Sequence, residues 1–260
     1  MKKIANIFLL VSILLLYFPI FYLMFYSFNS AGNMSHFDGF TLNYYKSVLT
    51  DSRMLVIILN TIAVALISSS IATLIGLCGA LYLYNIKEKS RKMLLAVNNV
   101  MIVSPDVIIG ASLLILFTLA GMSLGSVSVI LAHIAFSVPI TVILILPKLY
   151  SMNPSLVDAA KDLGADTKTT IIKVIIPYIK PGIIAGFFMA LTYSLDDFAV
   201  TFFVTGSGFS LLSVEVYSMA RRGITLEINA ISTIVFVVVF TCVFIYYLIS
   251  KRQEKLRGRV

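Results

Sequence analysis

Residues 153–181 read NPSLVDAAKDLGADTKTTIIKVIIPYIKP. This polar interruption in an otherwise apolar chain carries its own helix signals. Asn153 suits an N-cap, and Pro154 falls at the first helical position, where a missing N–H costs nothing. Leu156, Ala159, Ala160 and Leu163 then recur at the spacing of one helix face. Asp158, Lys161 and Asp162 take the opposite face. Gly164 stands where a helix end wants a left-handed residue. Asp166 is placed to cap a second short helix, Thr167 to Ile176, with Pro177 as its expected end. The alanines leave a shallow notch flanked by Leu156 and Leu163. Such a hairpin either packs on its own bundle, lies at a membrane surface, or docks on a partner.

The flanks are apolar. Hydrophobic residues make up 59% of the 260 and charged residues only 12%. That composition excludes an ordinary soluble domain and predicts an all-α integral membrane protein. Six spans are expected: Ile7 to Phe28, then about 54–84, 93–119, 126–146, 182–204 and 230–249. Met1-Lys2-Lys3 before the first run could open a signal peptide. The run is too long for one and the following N-S-A-G is a poor cleavage site, so it reads as a retained span. Residues 1–53 thus give the first helix and an external loop, 54–250 the core with its polar loop at 148–181, and 251–260 a basic tail. Ser68-Ser69-Ser70, Gly76 and Gly79 allow close helix packing in the second span. The third span is expected to break at Asn98-Asn99 and Pro105-Asp106. A tight turn is expected near Gly121 to Ser126, and an amphipathic piece from Leu211 to Ala220. Cys78 and Cys242 read as small buried hydrophobes rather than a disulfide or metal pair.

Basic residues set the orientation. Sixteen of the 20 Lys and Arg fall on the side of the two termini, the 85–92 loop and the 148–180 stretch. Only Lys46, Arg53, Arg221 and Arg222 fall on the other. The richer side is the cytoplasmic one. Both termini and the 153–181 hairpin therefore face the cytoplasm, and the net charge of +8 needs no nucleic acid to explain it.

Three carboxylates lie inside the expected spans: Asp106, Asp196 and Asp197. An intramembrane charge costs roughly 2.5–3.5 kcal/mol on insertion scales, so each needs a partner or a wet cavity. No Lys or Arg stands in the spans. One reading is a hydrogen-bonded or protonated group beside Asn98, Asn99, His133 or Tyr193. The other is an acidic path for a cation, with Tyr193 and Phe198 offering aromatic faces. Neighbours on a helix point in different directions, so one of Asp196 and Asp197 would line such a path unless the helix breaks there. His133 reads as a packing histidine, with no metal site expected.

No G-x-x-x-x-G-K-[ST] loop is present, nor H-E-x-x-H, Cys-x-x-Cys or G-x-S-x-G. The chain should therefore bind no ATP of its own and carry no enzyme site.

Asp158-Ala159-Ala160, then Gly164, then Val174-x-Ile176-Pro177 resembles the EAA loop of inner-membrane permease subunits of ABC importers. Asp replaces Glu, Val replaces Ile and Ile replaces Leu, with the spacing intact. The F-D-G-F-T-L-N-Y-Y segment resembles the loop that precedes the core helices in this permease family. The S-P-D, S-L-D-D-F and V-T-G-x-G-F segments, in that order, look like the spermidine/putrescine importer permeases, most like the second of their two permease subunits. The resemblance implies a type I ABC importer permease (MetI-like) architecture in the bacterial inner membrane. It assigns Asp158, Ala159, Ala160, Leu163, Gly164 and Pro177 to ATPase coupling. It also implies four kinds of partner: a second homologous permease, two copies of an ATPase subunit that use the ATP, an external substrate-binding protein and a polyamine. A secondary cation transporter or channel, a purely structural or receptor-like membrane protein, and an importer of another substrate such as iron remain alternative expectations.

Overall fold

The computed structural model describes residues 2–223 and 225–257. The side chains of 2–5, 239, 242, 243 and 245–257 lie outside that description, and with them Cys242 and the basic tail from Lys251. Along the chain run α1 (Lys2–Tyr26), α2 (Asn43–Thr50), α3 (Ser52–Asn85), α4 (Glu88–Val103), α5 (Asp106–Leu119) and α6 (Ser126–Tyr150). Next come α7 (Ser155–Asp162), α8 (Thr167–Thr170), a π-helical turn (Ile171–Ile175), α9 (Ile176–Asp196), α10 (Ala199–Val204), α11 (Leu212–Arg222) and α12 (Leu226–Arg257). Four helices among the described residues have the length and apolarity to cross a membrane. They become five if the bent α4–α5 pair is counted as one span. Helix α12 contributes an apolar described stretch over Leu226–Val238.

The chain divides into two compact units. In the unit made of Met1–Val56 and Val216–Val260, α12 packs against α1 and α2. Phe21 meets Phe236 edge-on, and the Ser47 hydroxyl donates to Glu227 Oε1 at 2.9 Å. The loop after α1 is folded around buried Asn29. Its side chain donates to the carbonyls of Asn33 and His36 and accepts from the N–H groups of Ala31 and Asp38. Helix α2 lies within what the sequence marks only as a polar loop; its eight residues are too few for periodicity to announce it.

In the unit Ile57–Glu215, α6 is the centre. Its buried face includes Val129, Ala132, Ile145 and Leu149. Close approach to both neighbours is set by glycine. A Cβ at Gly76 of α3 would lie 1.8 Å from Thr141 Oγ1 and 2.8 Å from Thr141 Cβ. One at Gly182 of α9 would lie 2.8 Å from Lys148 Cγ, and Gly186 faces the Thr141 backbone. Small residues at these points bring three backbones together, the way apolar helices associate without a hydrophobic drive between them. Gly76→Val is therefore expected to lower the melting temperature of the detergent-purified chain sharply. Overpacking of this kind costs about 1–3 kcal/mol, and the measurement is thermal unfolding against wild type.

Several expectations are corrected. Pro177 does not end a helix. The Ile176 N–H reaches back to Ile171 O in the π-helical turn, and α9 continues through Pro177 and Pro181. The wider turn accommodates the missing N–H and the ring of proline. The apolar segment thus runs unbroken from Thr167 to Asp196, 30 residues. Asn98-Asn99 does not interrupt α4; Asn98 Nδ2 instead donates to Pro139 O at 3.2 Å. The expected break at Pro105-Asp106 is present: α4 ends at Val103, α5 begins at Asp106, and the two helices meet at 103°. Ser104 is extended, as the residue before proline prefers. The expected fifth span is also divided, because α9 stops at Asp196 and α10 begins at Ala199. Cys78 is exposed on α3 rather than buried.

Candidate functional site

The hairpin 153–181 takes its shape from local chemistry. Asn153 Oδ1 accepts the Ser155 N–H at 3.1 Å, and Pro154 is already helical. At the other end of α7, Gly164 has φ +80°. The Gly164 N–H bonds Lys161 O and the Ala165 N–H bonds Ala160 O, which together form a Schellman stop. A side chain at Gly164 would meet nothing within 4 Å, so the glycine serves the backbone turn and not internal packing. Asp166 caps α8 by accepting the Thr169 N–H at 3.0 Å.

Hydrogen bonds from Thr169, its side chain first, hold the Asp166 carboxyl below the ordinary carboxylate range against a smaller opposing effect of desolvation. A depressed folded pKa gives stability that is present above the unfolded value near 3.8 and is lost as pH falls through the folded value. Asp166→Ala should therefore speed amide exchange at Thr169 at neutral pH, with the difference from wild type fading in acid.

The apolar face of α7 is open. Leu163 is 89% exposed and Leu156 42%. Asp158 and Ala159 are exposed and Ala160 is half-buried. At the base of the hairpin the Tyr178 hydroxyl donates to Ser151 O at 2.9 Å, tying the start of α9 to the end of α6.

The carboxylates separate by environment. Asp106 is exposed in the first turn of α5, next to an elbow of about 470 Å³ lined by Asn99, Val103, Ser104 and Pro105. Asp196 is the last residue of α9 and is exposed. Tyr193, one turn earlier, is 38% exposed and its ring lies 5.9 Å from Phe136. Phe198 is half-buried in the break, stacked at a tilt on Phe202. Asp197 is held inside: its carboxylate accepts the Val200 N–H at 3.2 Å, the Thr201 N–H at 2.8 Å and the Thr201 hydroxyl at 2.7 Å. Ser213 donates to the Asp197 carbonyl at 2.7 Å. Asp197 therefore caps α10, a use that its place in an apolar stretch does not advertise.

His133 is fully buried and has both ring nitrogens engaged, by Ser194 at 2.6 Å and Thr201 at 2.9 Å. Its Nε2 also lies 3.6 Å from Asp197 Oδ2. Beyond α10, Gly206 (φ +66°) sits against Leu124, where a Cβ would come within 2.7 Å of the leucine Cβ. Among the described residues no group of His, Cys, Asp and Glu is arranged to hold a metal.

Long apolar helices, with breaks beside carboxylates, mark a membrane-spanning protein whose irregular backbone must be satisfied by protein contacts or by a wet cavity. The chain belongs to the family of binding-protein-dependent transport system inner membrane components, which it matches over residues 72–256. It is 34% identical over 243 residues to the spermidine/putrescine transport system permease protein PotC of Shigella flexneri, covering 94% of this chain and 92% of that one. It is 31% identical over 258 residues to the putrescine transport system permease protein PotI of Escherichia coli K12, covering 96% and 92%. Its fold is similar to a chain of a bacterial ABC transporter involved in import of the acidic polysaccharide alginate, with TM-score 0.72, 18% identity and coverage of 96% and 98%. The chain is thus a multi-pass transport component of an inner membrane and not an enzyme.

Proposed function

We propose that this chain is one permease subunit of an ATP-driven polyamine importer, carrying spermidine and putrescine. The observation that carries the reading is the 34% identity to a spermidine/putrescine permease across 94% of the chain. In this reading six spans cross a bacterial cytoplasmic membrane with both termini inside, as the placement of sixteen basic residues favours. The transporter pairs this chain with a second, related permease, two copies of an ATPase subunit and an external binding protein. The ATP is consumed on the ATPase subunits, and this chain holds no cofactor.

The α7 hairpin is the point of entry for force. Asp158, Ala159, Ala160, Leu163 and Gly164 form the surface that seats in the ATPase, and Pro177 marks the passage into the membrane. The open apolar face of α7 supports this role, since exposed leucine on an aqueous loop has no partner within the described residues. From the hairpin an unbroken helical path of 30 residues, about 45 Å at 1.5 Å per residue, leads to Asp196. Glycine contacts with α6 at Gly182 and Gly186 give that rod a fulcrum. A push at one end therefore reaches the acidic break at the other. There the exposed carboxylate of Asp196, with the faces of Tyr193 and Phe198, suits a flexible polycation, and Asp106 at the start of α5 supplies a further exposed carboxylate. Asp197 acts on the path by shaping the break.

The test is uptake of labelled spermidine by cells whose own polyamine importers are deleted and which express this chain with its partner subunits. Uptake restored by the full set and absent without this chain supports the proposal. Growth-independent lack of uptake with all subunits present in the membrane contradicts it.

A further inference from the structure

The contact between α6 and the break at 197–198 has a defined direction of hydrogen bonding. A threonine hydroxyl has one proton to give. Thr201 Oγ1 gives its proton to Asp197 Oδ2 at 2.7 Å, so toward His133 it can only accept. The network thereby assigns the proton to His133 Nε2. In the neutral ring Nδ1 must then accept, and the Ser194 hydroxyl donates to it at 2.6 Å. Behind Ser194, Ser68 of α3 gives its own proton to Val64 O at 2.6 Å and lies 3.2 Å from Ser194 Oγ. One imidazole ring thus bonds the last turn of α9 on one side and the first turns of α10 on the other. Between these two bonds lie Asp196, Asp197 and Phe198. The carboxylate of Asp197 is also close, its Oδ2 3.6 Å from His133 Nε2.

We propose that His133 is the positioning residue of this joint. It straps α9 to α10 through Ser194 and Thr201, and so fixes the direction in which Asp196 leaves the end of the 30-residue rod. His133 touches no solute; it acts through the acidic turn. The transport consequence rests on the importer reading above, whereas the strap itself is a property of the chain alone.

Two variants separate hydrogen bonding from space filling. His133→Phe fills the ring volume with no donor or acceptor. His133→Gln places an amide N–H where Nε2–H stands and keeps the bond to Thr201. Hydrogen–deuterium exchange is read over residues 194–204 in the purified full complex, together with apparent KM and maximal rate of spermidine uptake. In His133→Phe, exchange is expected to rise about tenfold or more, as for a buried pair left unsatisfied, and apparent KM to rise about as much while ATPase subunits stay bound. His133→Gln is expected to return both to within about threefold of wild type. If His133→Phe keeps wild-type exchange and KM, the ring only fills space and the proposal is overturned. Faster exchange with unchanged KM in a complex that transports also overturns the positioning role. If wild type takes up no polyamine, the importer reading falls, and the exchange comparison still decides the strap.

Discussion

Leu163→Glu is expected to strip the ATPase subunit from the purified complex while leaving the chain itself as stable as before. Leu163 is 89% exposed, so its side chain contributes little to folding, and such surface changes stay within about 0.5 kcal/mol. On the proposed reading, the same leucine becomes a buried anchor once the ATPase is docked. Anchors of this kind cost about 2 kcal/mol or more when lost, roughly 30-fold in affinity, and a glutamate adds an unpaired charge to the contact. Co-purification and ATP-driven uptake should therefore fall together. Gly164→Val should follow it in part. The valine would find open space within the chain, yet φ +80° is a left-handed conformation that a β-branched residue resists. Retention of the ATPase by Leu163→Glu would remove α7 as the docking element.

Asp196→Asn is expected to raise the apparent KM for spermidine about ten- to a hundredfold in a complex that keeps its subunits and its melting temperature. Asp196 ends α9 in the open, so an amide of the same size fits without repacking. On the proposed reading, what it removes is a charge that would face a polycation. Its neighbour should behave differently. Asp197 receives three donors at the start of α10. An amide there has one acceptor oxygen in place of two and turns its own donors toward Val200 and Thr201. Asp197→Asn should therefore lower stability, by about 1–3 kcal/mol, with loss of uptake following from the damaged break. Thermal unfolding of the two variants side by side separates the roles. Equal destabilisation would contradict this division of labour.

The hairpin was the most legible part of the chain, because caps and stops are local. Asn153, Pro154, Gly164 and Asp166 each act on backbone groups within a few residues, and each does so in the structure. The small residues of α3 were legible for the same reason: glycine at Gly76 has one plain use, close approach. Proline misled in one direction only. Pro105 breaks its helix, whereas Pro177 passes through because a π-helical turn upstream takes up its misfit, and nothing in the local pattern distinguishes the two. The division of the acidic pair was legible only as a condition, that both could face the path if the helix broke there. The Val200 and Thr201 contacts lie within four residues of Asp197, as those of a local cap do, whereas the Ser213 hydroxyl that holds the Asp197 carbonyl comes from sixteen residues further on. His133 was readable as a bonded packing residue. Its partners lie 61 and 68 residues away, so its place at the joint was not readable.

The most direct measurement is uptake of labelled spermidine and putrescine into proteoliposomes holding this chain with its co-purified partner subunits and external binding protein. Interior ATP and an imposed ion gradient would be supplied separately. The account predicts uptake that requires ATP and the binding protein and is indifferent to the gradient. Uptake driven by the gradient without ATP, with no ATPase co-purifying, would contradict it and identify a secondary cation transporter instead.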